Sequence, residues 1–250
     1  MQSIDEPSLT LTSVFLEQWE WYRALPVPLR TNTLQEALLK TFNAGDYVAR
    51  AGDPSNHWYG AIDGFLQMYV VNMEGAETTL SCIRKNEWGG EGSLLKKELR
   101  QYDLRALTTS RICMLPVQTF DALRERSIEF NHFLCDIMNA RMGEFVGMLA
   151  AARLGSPEMQ LAKALLMLVD PRGEALQELG ISQHELALIS GLSRQRVNVA
   201  VSVFKGLAIV RSAPRKGMLE VHVPRLREHV RSEMFGGPAP VNSPASRSLP

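Results

Sequence analysis

Residues 181–201 read ISQHELALISGLSRQRVNVAV, and the reading of this stretch decides the fold of the chain. Ser182, followed three residues later by Glu185, is a capping box: each side chain accepts from the other's backbone N–H, which starts a helix. Leu186 and Ile189 give that helix an inner face, and Ala187 is small where a second helix must approach. Gly191 is placed to take a positive φ at a tight turn. Ser193 then caps a second helix, in which Val197, Ala200 and Phe204 recur at three- and four-residue spacing. Arg194, Gln195, Arg196 and Asn198 are left at its exposed N-terminal end. A small residue, a glycine four positions on and a capped polar helix together form the helix-turn-helix pattern.

On the C-terminal side, residues 208–211 and 218–223 read as a hairpin around 213–217, a wing whose tip carries Arg215 and Lys216. The chemistry suits duplex DNA. Arginine at the start of a helix reaches guanine O6 and N7 in the major groove, and Gln or Asn does the same for adenine. Basic side chains at a wing tip and the free N–H groups of a helix start suit phosphates. The expected DNA-binding residues are Ser182, Ser193, Arg194, Gln195, Arg196, Asn198, Arg215 and Lys216. The charge distribution agrees. The 250-residue chain has 27 basic and 27 acidic residues, a net charge of zero. Residues 1–154 hold 15 basic against 19 acidic side chains, whereas 181–231 hold 9 against 3. An acidic front and a basic back suggest two parts with different partners.

On the N-terminal side, Gly155-Ser156-Pro157 is a break, with Ser156 as N-cap and Pro157 at the first position of a helix running to Val169. From 119 to 153 the apolar period is helical: Leu134, Met138, Met142, Phe145 and Leu149 recur three or four apart. One long helix with a single apolar seam is the kind that pairs with a copy of itself, so these five residues are the expected dimer interface. Further out, Tyr47–Ala49, Gly64–Val71, Thr78–Ile83 and Ile112–Leu115 are short apolar runs, with turn signals between them such as Asp63-Gly64 and Glu74-Gly75. Short strands at that spacing predict a barrel or jelly roll. Trp19, Trp21, Pro26 and Pro28 read as a helix over roughly 13–24 followed by a proline turn. The four prolines of 236–250 read as a disordered tail.

The expected class is α+β. It comprises a helical segment (1–30), a β-roll or jelly roll (31–118), a long dimerisation helix (119–154), a winged helix-turn-helix (155–235) and the tail (236–250). Cys82, Cys113 and Cys135 are odd in number and lack a CxxC pair, so neither a disulfide framework nor a metal spacing is visible, and buried small hydrophobes are expected. The first 13 residues have no basic segment of a secretory signal, and no apolar run of about 18 residues exists, so the expected location is cytoplasmic, without a membrane span. Jelly rolls also host metal-dependent oxygenases, but those cluster His and carboxylate ligands. Between 31 and 118 only His57 occurs, so neither metal ligands nor catalytic residues are expected.

The order of these parts resembles the CRP/FNR family of bacterial transcription regulators. Phe42-Asn43-Ala44-Gly45-Asp46-Tyr47-Val48 is similar to that family's barrel entry. Gly89-Gly90-Glu91-Gly92-Ser93-Leu94-Leu95 is similar to its Gly-Glu loop, and Ile181–Val197 to its helix-turn-helix. The resemblance implies an effector pocket at Gly90, Glu91, Arg100 and Gln101, with the glutamate on a ribose and the arginine on a cyclic phosphate. Two departures argue against cyclic AMP. Gln101 and Tyr102 follow Arg100 where those members place a hydroxyl residue, and Phe145-Val146 stands where their long helix offers Thr-Ser. The cysteine cluster of the oxygen-sensing members is absent from residues 1–40. The family's frequent Arg-Glu-Thr-Val-x-Arg reads here Arg194-Gln195-Arg196-Val197-Asn198-Val199, which predicts a different operator.

The resulting expectation is a dimeric, sequence-specific DNA-binding regulator that reads a near-palindromic duplex, with RNA polymerase as a further partner. No cofactor is expected, and the small-molecule effector is left unnamed. The alternatives are a protein-interaction module, or a ligand-independent regulator with a degenerate cyclic-nucleotide pocket.

Overall fold

The computed structural model describes residues 6–213 and 218–235. The chain divides into two compact units, Met1–Gly147 and Met148–Pro250. The first opens with helices α1 (Glu6–Glu17), α2 (Glu20–Arg23) and α3 (Val27–Glu36). Eight strands follow, namely β1 (Leu38–Phe42), β2 (Tyr47–Ala49), β3 (His57–Asp63), β4 (Phe65–Val71), β5 (Glu77–Arg84), β6 (Glu87–Gly89), β7 (Asp103–Ala106) and β8 (Ser110–Pro116), with α4 (Glu91–Lys96) between β6 and β7. Helices α5 (Val117–Arg126) and α6 (Ile128–Leu154) come next. The remainder is α7 (Pro157–Leu168), β9 (Leu176–Leu179), α8 (Gln183–Ser190), α9 (Arg194–Gly206), β10 (Val210–Ser212), β11 (Leu219–His222) and α10 (Val223–Phe235).

The strands form two four-stranded antiparallel sheets, ordered β1-β8-β3-β6 and β2-β7-β4-β5. Their inner faces close on Phe42, Tyr59, Ala61, Leu66, Met68, Ile83, Leu104 and Ile112, the interior of a β-roll. The first sheet is covered on its other face as well. There Trp58, Ile62, Cys113 and Leu115 meet Phe15, Leu16, Trp21, Tyr22, Phe120 and Phe130 from the helices. All four tryptophans of the chain belong to this cluster, and Trp58 stacks on Trp88 with ring centroids 4.0 Å apart. Double coverage explains why β3 is buried without a break from Trp58 to Ile62, so alternation could not reveal it.

Three expectations need correction. Pro26 and Pro28 do not close a turn after a helix at 13–24. Pro26 is the N-cap of α3 and Pro28 sits in its first turn, where a missing N–H costs nothing. The predicted single helix over 119–153 is two helices. Ser127 is extended at φ −133°, and its hydroxyl accepts from the N–H of Phe130 at 3.1 Å, starting α6 afresh. Among the cysteines, Cys82 and Cys113 are buried as expected, but Cys135 is exposed. The expected disordered tail lies outside the described residues.

In the second unit, Ser156 caps α7 as expected, accepting from the N–H of Met159 at 3.1 Å. The wing hairpin forms with Val210 opposite Val221, and β9 adds a third strand beside β11 that the sequence did not suggest. Helices α7, α8, α9 and α10 bury Met159, Leu165, Leu186, Ile189, Val197, Phe204 and Leu226.

Candidate functional site

The helix-turn-helix is built as its sequence requires. Ser182 Oγ accepts from the Glu185 N–H at 3.2 Å, and the Ser182 N–H donates to Glu185 Oε2 at 2.7 Å. Gly191 takes φ 69° at the C-cap of α8. Ser193 Oγ accepts from the Arg196 N–H at 3.3 Å, so α9 begins with its first side chains turned out. Val197, Ala200 and Phe204 are fully buried, whereas Arg194, Gln195, Arg196 and Asn198 are all exposed. Both predicted serines therefore hold helix ends while lying on the surface.

The basic surplus of this unit is partly committed within the chain. Arg211 pairs with Glu220 across the hairpin. Arg225 donates to the Ala208 carbonyl at 3.1 Å and Arg227 to the Pro171 carbonyl at 3.0 Å. The hairpin is held up to its tip by the Ala213 N–H donating to the Met218 carbonyl at 3.1 Å. Arg215 and Lys216 themselves lie outside the described residues.

In the first unit, three of the four expected effector residues come together. Gly90 takes φ 95°, and a Cβ there would lie 2.9 Å from Arg100 Nη1, so only glycine lets the arginine come this close. Arg100 is 2% exposed. Its guanidinium donates to the Gly90 carbonyl at 2.8 Å and the His57 carbonyl at 2.6 Å, and it stands over the Tyr59 ring at 5.1 Å. Among the described residues no carboxylate pairs with it, and its Nε has no acceptor. The Tyr102 hydroxyl lies 3.4 Å from Nη1, and burial pushes that phenol's pKa up. Glu91 is 3% exposed and has other partners than Arg100: it pairs with Arg141 of α6 and accepts from the Trp58 indole at 3.4 Å. Gln101 is not part of the group, because its side chain is exposed and donates to the Leu99 carbonyl at 3.0 Å.

Arg141 is the residue that sequence reasoning missed. It also donates to the Trp88 carbonyl at 2.9 Å, so one α6 arginine holds the Gly-Glu loop at two points. Its signal was a basic residue directly before Met142 on the expected seam. Beside it, Arg84 of β5 pairs with Glu87 and with Glu144 of α6. Burial pushes the Glu144 carboxyl up, with Arg84 opposing.

Met138, Met142, Phe145 and Leu149 are exposed on α6, at 43%, 64%, 38% and 54%. Leu134 is not with them. It is 4% exposed and packs in the aromatic cluster, and the exposed Cys135 takes the place three residues before Met138. The neighbouring Val146 is 61% exposed.

The described elements thus run as a β-roll, a long helix and a winged helix-turn-helix. Residues 39–127 match the cyclic nucleotide-binding domain model. The chain is 26% identical over 192 residues to the cyclic AMP receptor protein of Thermus thermophilus, spanning 76% of this chain and 87% of that one. Among solved structures it is similar to FixK2 of Bradyrhizobium japonicum, with 14% identity, a TM-score of 0.67 and coverage of 77% of this chain and 96% of that one. It is also similar to TTHA1359, a CRP/FNR-family transcriptional regulator of Thermus thermophilus, with 24% identity, a TM-score of 0.58 and coverage of 78% and 100%. Residues 39–127 are therefore similar to cyclic nucleotide-binding domains, and the chain shares the fold of these solved structures. No described helix is long and apolar enough to cross a membrane.

Proposed function

We propose that the chain is a dimer that reads a near-palindromic duplex with α9 and its wing, under the influence of the β-roll. The carrying observation is the one-sidedness of α9: Val197, Ala200 and Phe204 are fully buried while Arg194, Gln195, Arg196 and Asn198 face solvent. Ser182, Ser193 and the wing residues Arg215 and Lys216 supply the phosphate contacts. Met138, Met142, Phe145 and Leu149 supply the seam between copies. On this reading residues 31–118 sense, 119–154 pair and 155–235 read. The chain works in the cytoplasm beside RNA polymerase and is not an enzyme. Selection from random duplexes tests it. The enriched sequences should be near-palindromes with half-site centres about one helical turn, roughly 34–36 Å, apart. Enrichment of no sequence would contradict the reading.

The effector is not cyclic AMP on this account. Arg100 already donates to two backbone carbonyls, and Phe145 and Val146 have no side-chain group to hydrogen-bond a base. Cyclic AMP should therefore leave the unfolding temperature unchanged. A bound ligand at a hundred times its Kd would instead stabilise the protein by about 2.7 kcal/mol, and a saturable rise of that size would contradict the claim. A second reading, a regulator that acts without ligand through a degenerate pocket, draws on the same engagement of the guanidinium with two backbone carbonyls.

A further inference from the structure

Val199 lies on the outward face of α9. Successive helical residues are turned by about 100° about the axis. Measured from Val199, the buried Val197, Val201 and Phe204 fall on the opposite side, with Ala200 at the flank. Gln195 lies one turn before it and Val203 one turn after it, close to the same line. Val199 is 57% exposed and Val203 is 40% exposed, on a face otherwise made by Gln195, Arg196, Asn198 and Ser202. A branched hydrocarbon that can neither donate nor accept thus stands on the outward face of the reading helix.

We propose that Val199 is a specificity-determining residue that reads the C5-methyl group of a thymine in the major groove, beside an adenine read by Gln195. The assignment rests on the DNA-reading role of α9. Thymine's methyl is the largest apolar group that a base pair presents in that groove, cytosine offering only a C5–H in its place, and the polar edge groups there are donors or acceptors. Valine against any of those would strip water from a polar atom without replacing its hydrogen bond. Valine against the methyl instead removes apolar surface from water on both sides. Gln195, about 6 Å earlier along the helix, has the paired donor and acceptor that match adenine N7 and N6. The two side chains together favour A·T pairs at the centre of each half-site, and neither brings a positive charge. The affinity they add should therefore leave the salt dependence unchanged.

The test uses the full-length protein and a duplex obtained by selection, in which each thymine in turn is replaced by deoxyuridine. That exchange removes the methyl and leaves base pairing intact. The native chain should lose about fourfold in affinity per half-site at one thymine, the factor for one methyl-sized group at ~0.8 kcal/mol. Val199→Ala should be insensitive at that thymine, yet keep its response to every other substitution and its salt slope. Alanine is the better helix former and the site is exposed, so the variant should fold as the native chain does. If Val199→Ala loses as much as the native chain at every thymine, or if no thymine is sensitive, the assignment is wrong while the DNA-reading role stands. If no duplex binds specifically at any salt concentration, that role fails and the assignment falls with it.

Discussion

Phe145→Arg should sediment as a monomer at concentrations where the native chain is a dimer, and should lose its palindromic duplex. Phe145 is 38% exposed on α6, in line with Met138 and Met142, so in the proposed pairing two such residues close on each other. A guanidinium there carries its charge into a water-free seam, at a cost of several kcal/mol per ion. A two-fold axis doubles that cost, and each ~1.4 kcal/mol is tenfold in dissociation. The change should spare the fold of one copy, because the native side chain is already partly in water. Sedimentation velocity reads the mass and circular dichroism the fold. An unchanged dimer would take α6 out of the interface. A dimer that persists but no longer binds DNA would instead place Phe145 in the link between the two parts.

Arg194→Ala should cost each protomer about 1–3 kcal/mol on the selected duplex and relax the preference at one base pair per half-site. With two half-sites the losses sum, because they are far apart and share no partner, giving ~2–6 kcal/mol for the dimer. Arg194 is the first residue of α9 and is exposed, with Ser193 fixing the helix start beneath it. Among the described residues the side chain has no hydrogen-bond partner, so the loss should fall on binding alone. Competition binding against single-base variants of the duplex distinguishes the roles. A base reader loses discrimination at one position. A phosphate contact weakens all sequences alike and flattens the salt slope by about one per contact. The second outcome would overturn the base-reading role of Arg194.

The sequence showed the second unit more fully than the first, for physical reasons. The capping box at Ser182, the turn at Gly191 and the cap at Ser193 are local devices, and the hydrogen bonds they imply are those found. The aromatic cluster was hidden, because it joins Phe15, Trp21, Trp58, Trp88 and Phe130 from elements far apart in the chain. Strand β3 escaped notice since both of its faces are buried. The break at Ser127 was a legible capping signal overridden by the helical period on either side of it. The same period put Leu134 on the seam, although only its packing against the aromatic cluster decides which side it faces. The pairing of Glu91 with Arg141 could not be read at all, since fifty residues separate the two and only the fold brings α6 to the loop.

The most direct test is the salt dependence of binding to three duplexes: the selected palindrome, one half-site and a scrambled sequence. The palindrome should bind at least a thousandfold tighter than the scrambled duplex at physiological salt, the lower end for specific recognition. The half-site duplex should lose most of that advantage, because only one copy of α9 can reach base edges. All three should weaken linearly in log Kobs against log salt, with slopes set by the phosphates contacted. Equal affinity for the three duplexes, or affinity independent of salt, would contradict a dimeric reader of duplex DNA.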